Sequence, residues 1–155
     1  MSAGLRYALL MTNDPAIIEI TQLCPSLPVI SADLQPVHSD LVSWAETVLG
    51  EAYSSGLADA LAAMLVHSRH LQTLARRHQD AIVPILQEKG AAIVTTACDE
   101  LRATTPTVED DAAMMRAIRQ LRQRTALAVA LSDITSKADV ATQMRWLTSA
   151  AETAV

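Results

Sequence analysis

The chain has 155 residues, half of them hydrophobic, and a formal net charge of −5. That length supports a buried core in one domain, and the apolar share excludes a disordered chain. The acidic balance argues against a generic nucleic-acid binder, which carries a basic footprint, and leaves no polybasic segment for an anionic membrane.

Phe is absent, there are only two Trp and two Tyr, and Leu, Ala, Val, Ile and Met supply the apolar content. This composition, with long stretches of helical periodicity, predicts an all-α protein. No uncharged apolar run reaches the ~18 residues of a spanning helix, and Tyr7–Met11 is too short for a signal-peptide core. Cys24 and Cys98 stand far apart, which with no secretion signal reads as reduced thiols in a cytoplasmic protein.

Residues 1–35 are poorly defined. Ser2–Met11 and Asp14–Leu23 read as short helices, the second with Asp14 as N-cap and Pro15 at N1. Cys24–Pro28 breaks helix, and an extended linker follows. Residues 36–155 read as the helical bundle. Pro36–Ser54 is the first long helix, with Leu41, Trp44, Ala45, Val48, Leu49 and Ala52 as its stripe; Ser54-Ser55-Gly56 ends it. Leu57–Ala75 follows with Leu57, Leu61, Met64, Leu71, Leu74 and Ala75 on one face and a candidate break near Ser68. Arg76-Arg77-His78 puts positive charge at its C-terminal end, where the macrodipole favours it.

Asp80–Glu88 is a short helix that Pro84 either starts or bends. Gly90 separates it from Ala91–Ala103, whose stripe is Ile93, Val94, Ala97 and Leu101. Thr104–Thr107 is a loop, and Glu109, Asp110 and Asp111 load the next N-terminus with negative charge. The helix Met114–Ile134 is the organising element. Met114, Ala117, Ile118, Leu121, Thr125 and Ala128 form one stripe, with Arg116, Arg119, Arg122 and Gln123 opposite. From Ala126 to Leu131 it carries no charge on any side, which predicts all-round burial. After a turn, Asp139 is a candidate N-cap for Val140–Val155, with Val140, Met144, Leu147, Ala151 and Val155 in register. That helix runs to the last residue with no stop signal, which reads as a truncated parent. There is no fixed-period repeat.

The chain has no Rossmann fingerprint, no Walker A and no nucleophile elbow, and Gly4, Gly50, Gly56 and Gly90 are too scattered to cradle a phosphate. Glu109-x-Asp111 is the nearest approach to an acidic metal pair, and helix-start electrostatics account for it. His67, His70 and His78 would face one way on a continuous helix and could hold zinc. The H-E-x-x-H spacing is missing, and a break near Ser68 would scatter them. The thiols lack a C-x-x-C partner, so buried apolar cysteines are the default. Arg116, Arg119, Arg122 and Arg124 offer guanidinium groups to a phosphate or an acidic partner. A solvated helix face paired with Glu100, Glu109 or Asp110 is the plainer account. Asp133, at the end of the apolar run, needs a partner if buried, and Arg124 or Lys137 are candidates. Trp146 falls off its helix's stripe, so it packs on a second neighbour or marks an interface.

Arg116–Arg124, the apolar Ala126–Ile134, Asp139-Val140 and Leu147–Val155 (LTSAAETAV) together resemble the glutamine synthetase adenylyltransferase family. Ser68-x-x-Leu71-x-x-Leu74-x-x-Arg77 is similar to that family's S-x-x-L-x-x-L-x-x-R-x-P-E segment, with Gln79-Asp80 in place of Pro-Glu. The resemblance covers about residues 55–155. It implies a relative of bifunctional enzymes that add AMP to, and remove it from, a tyrosine of glutamine synthetase. In that family such helices precede a polymerase-β-like nucleotidyltransferase core, whose G-x-G-K-L-G-type loop and aspartates hold nucleotide and magnesium. No position here matches those motifs, so no catalytic, cofactor-binding or metal-binding residue carries over; ATP and magnesium are implied only for the full-length family. The unmatched N-terminal stretch favours the first, adenylyl-removing half.

The expectation is therefore an irregular bundle of about six or seven helices. It would be non-catalytic alone and would scaffold a nucleotidyltransferase core, with glutamine synthetase as the implied protein partner. The alternative is a stand-alone protein-binding or regulatory module using Arg116, Arg119 and Arg122. Trp146 completes the candidate interaction residues.

Overall fold

A computed structural model describes residues 29–50, 55–87, 89–104, 111–135 and 138–155. The expected helices before residue 29, Cys24, the loop at 105–110 and Lys137 lie outside them. Seven α-helices and a 3₁₀ turn make up the described residues, with no strand among them. The chain divides into two compact units, 1–73 and 74–155.

In the first unit, α1 (Gln35–Leu49) packs on α2 (Ser55–Leu65). α1 starts with Pro36 in its first turn, where the missing N–H costs nothing. It buries Leu41, Ala45 and Leu49 and ends earlier than the turn at 54–56 suggests. Gly50 takes φ 76°, ψ 178°, and its N–H donates to Glu46 O at 3.0 Å. That region of backbone space is open essentially to glycine alone. In α2, every residue from Leu57 to Leu65 except Asp59 is buried. His38 Nε2 stands 3.5 Å from Asp59 Oδ1 across the α1–α2 pair, without a hydrogen bond.

The apolar face from Leu57 to Ala75 has its candidate break near Ser68, and the backbone breaks there. α2 stops at Leu65, and α3 (Arg69–Arg77) begins after Ser68. Ser68 Oγ accepts from Leu71 N at 3.2 Å, a side-chain cap for the new helix. Gln72 Nε2 turns back to donate to Leu65 O and Val66 O, satisfying carbonyls at the end of α2. Ser68 thus supplies a local reason for the break that apolar spacing does not encode.

In the second unit, a 3₁₀ turn (Gln79–Ala81) leads into α4 (Ile82–Leu86). Pro84 sits in the first turn of α4, where backbone N–H groups lack intrahelical partners anyway. Then come α5 (Gly90–Thr104), α6 (Asp111–Ile134) and α7 (Val140–Thr153). α6 is the hub: α4, α5 and α7 all pack on it, and α7 also packs on α5. Its burial follows the expected stripe, with Leu121, Thr125 and Ala128 fully inside and Met114, Ala117 and Ile118 half-buried. All-round burial of 126–131 does not occur: Leu127, Ala128 and Leu131 are inside, but Ala126, Val129 and Ala130 are only half-buried. Their side chains are small, so partial exposure forfeits little transfer energy. The helix buried on nearly every side is α2.

Candidate interaction surface

Two surfaces and one polar cluster carry the chemistry of the second unit. The cluster lies where α6 meets the end of α3 and the 3₁₀ turn. Arg124, whose side chain is only 20% exposed, donates through Nη2 to Asp80 Oδ2 at 3.0 Å, and its Nη1 lies 3.6 Å from Glu100 Oε1. One helical step earlier, Gln123 Oε1 is 3.1 Å from Nε2 of the buried His78. A guanidinium held by two carboxylates ties α5 and the 3₁₀ turn to the hub. Arg124 is therefore occupied, and Asp133 uses another partner. Asp133 is exposed and accepts from Gln143 Nε2 at 3.2 Å; the same amide donates to Ala138 O at 3.0 Å. Arg124 lies nine residues earlier, more than two turns away along the helix.

The remaining arginines of α6, Arg116, Arg119 and Arg122, lie on its exposed face. Neither Arg119 nor Arg122 forms an ion pair with a described residue. Trp146 is elsewhere. A Cβ placed on Gly90 would lie 2.8 Å from Trp146 Cη2 and 3.1 Å from Ser132 Oγ. The indole covers the bare start of α5 beside Ser132 of α6. Ser132 is ten residues beyond Arg122, roughly 15 Å along the helix. The four candidate interaction residues do not converge on one site.

Seating Trp146 fixes the rotation of α7. Gln143 and Ala150 are buried, and Ser149 and Thr153 line the same flank. Cys98 Sγ lies 3.9 Å from Ser149 O, and Arg102 Nη2 donates to Thr153 Oγ1 at 3.0 Å. The apolar stripe is left outside: Val140 is 72%, Met144 56% and Leu147 43% exposed. Trp outweighs each of these as a buried payload, and Gly90 leaves the space for it. An i, i+4, i+7 row of apolar side chains facing solvent is the geometry of a helix-docking face. Sequence periodicity found the stripe but not its direction; the signal for that was the pairing of a bare Gly90 with Trp146. At the head of α7, Asp139 Oδ1 accepts from Thr142 N at 2.7 Å, as its capping position predicts. Hydrogen bonds from Thr142, side chain first and backbone second, hold its carboxyl below the ordinary Asp value.

His67 and His70 are exposed on either side of the helix break, and His78 is engaged with Gln123. No group of three or more His, Cys, Asp or Glu side chains among the described residues could hold a metal ion. Gly50 is a helix cap, and Gly90 is covered by the indole. No described helix is long and apolar enough to cross a membrane.

A family model described as glutamate-ammonia ligase adenylyltransferase matches residues 58–155. No curated protein and no solved structure matches the chain.

Proposed function

The chain belongs to the glutamate-ammonia ligase adenylyltransferase family, and from that premise we propose that its helices are a non-catalytic scaffold for a nucleotidyltransferase core. The observation that carries this reading is the uncovered apolar row Val140, Met144 and Leu147 on α7, inside the matched region. Those side chains are held in place by Asp139, Gln143 and Trp146 from the other sides of the helix. A partner surface receives them without any rearrangement of α5–α7. The core would bring the nucleotide, the magnesium and the chemistry of AMP transfer; the helices would bind and orient it. Glutamine synthetase is then the protein acted on by the assembled enzyme, as the family's name states.

The test is AMP transfer with glutamine synthetase, ATP and magnesium, using this chain, a nucleotidyltransferase core of the family made separately, and the two together. The reading expects no transfer by the chain alone and a gain in the core's rate when the chain is added. Transfer by the chain alone, or a core indifferent to it, would refute the scaffold role.

A further inference from the structure

We propose that the exposed face of α6 binds an acidic, partly apolar peptide segment of a protein partner, with Met115 as anchor and Arg119 and Arg122 as carboxylate clamps. This goes beyond the scaffold role and is independent of it, because it uses a different helix face. Met115, Arg119 and Arg122 stand at i, i+4 and i+7, so they share one stripe. Met115 is 56% exposed and lies on the same stripe as two exposed guanidinium groups. Methionine and arginine are enriched at protein interfaces, and arginine among their hot spots.

The charge pattern points the same way. The protein is acidic overall, yet α6 has no acidic residue between Asp111 and Asp133 and carries four arginines there. Ten of the twelve cationic residues are Arg, the side chain suited to bidentate capture of carboxylate. Two residues beyond Arg122 on the same helix, Arg124 shows what these groups do when carboxylates are within reach: it holds Asp80 and Glu100. Arg119 and Arg122 have no such carboxylate among the described residues. A nucleic acid is the poorer occupant, since net negative charge repels a long polyanion and Met115 gives it nothing to read.

The test is fluorescence anisotropy with a labelled synthetic helix bearing Glu and Leu at helical spacing, the same peptide with every Glu changed to Gln, and single-stranded DNA of equal charge. Arg119→Glu with Arg122→Glu should weaken the acidic peptide by roughly tenfold or more, and Met115→Ala by about threefold. Arg69→Glu and Arg145→Glu, on other helices, should leave it within about twofold. Helicity by circular dichroism checks folding; should the double Glu variant unfold, Arg119→Gln with Arg122→Gln takes its place. The inference is overturned if the control reversals weaken binding as much, if the Gln peptide binds as well, or if the DNA binds more tightly. The Met115, Arg119 and Arg122 variants leave α7 untouched, so their failure says nothing against core docking.

Discussion

Gly90 and Trp146 form the contact that sets the direction of α7, and they allow a test in which one substitution changes sign. Gly90 has an ordinary helical φ, so Ala there meets crowding rather than backbone strain. Its Cβ would fall 2.8 Å and 3.2 Å from two atoms of the indole and 3.1 Å from the buried Ser132 Oγ. Overpacking of this kind costs about 1–3 kcal/mol, against up to ~1 kcal/mol gained from replacing Gly in a helix. Gly90→Ala in the natural chain should therefore be net destabilising by about 1–2 kcal/mol, a fall in Tm of roughly 2–8 °C for a chain this size. Trp146→Ala empties the space and should itself cost about 2–3 kcal/mol, below the full-burial figure because the indole is half-exposed. In that background Gly90→Ala no longer meets the ring and should be neutral or stabilising, giving a coupling energy above about 1 kcal/mol. Thermal melting by far-UV circular dichroism on the four proteins measures it. An equal cost of Gly90→Ala in both backgrounds would show that the indole does not sit on Gly90 and would remove the reason for α7's rotation.

Thr125 Oγ1 is buried with no hydrogen-bond partner; Thr125→Val keeps the shape and removes the orphan, so chemical denaturation should show about 1 kcal/mol of stabilisation. Arg124→Ala strands Asp80 and Glu100 and removes a mostly covered side chain; it should cost about 1–2 kcal/mol, whereas Arg122→Ala should stay within about 0.5 kcal/mol. The Asp139 carboxyl is held below its ordinary value in the folded protein, so its capping contribution is present above the unfolded-state pKa and is lost as pH falls through the folded one. Asp139→Asn should accordingly flatten the acid limb of the Tm-versus-pH curve, and an unchanged limb would contradict the capping role.

The helices were legible because each buries one regular stripe. The stripes of α1, α5 and α6 appear in the sequence at the right spacing, and the buried members Leu41, Ala97, Leu101 and Leu121 all belong to them. Asp139 was legible as a cap because capping is local. Breaks fixed by side chains were harder. Gly50 stood inside an apolar pattern, and at the break anticipated near Ser68 the Gln72 bonds to Leu65 O and Val66 O were not readable from spacing. Hardest of all was the orientation of α7. Its row of Val, Met and Leu obeys the rule for a packing face, yet Trp146 with Gly90 and Gln143 with Asp133 turn it outward. Those are tertiary pairs separated by 56 and 10 residues, and periodicity within one helix has no access to them. The partners of Arg124 illustrate the same limit. Glu100 was among the candidates for the arginine face, but Asp80 belongs to a 3₁₀ turn whose position depends on how α3 ends.

The outward row on α7 is the proposed docking site of a nucleotidyltransferase core. Its most direct test is the affinity of the chain for a separately prepared core of the family, by calorimetry, with Met144→Asp and Leu147→Asp introduced together. Both side chains are exposed, so the fold should survive and the melting curve should hardly move. Burying the exposed portions of Val140, Met144 and Leu147 would contribute roughly 2–3 kcal/mol, and two charges there should weaken binding by about a hundredfold. A natural chain that binds the core while the double variant does not is the predicted result. A double variant that binds the core as tightly as the natural chain would contradict the account.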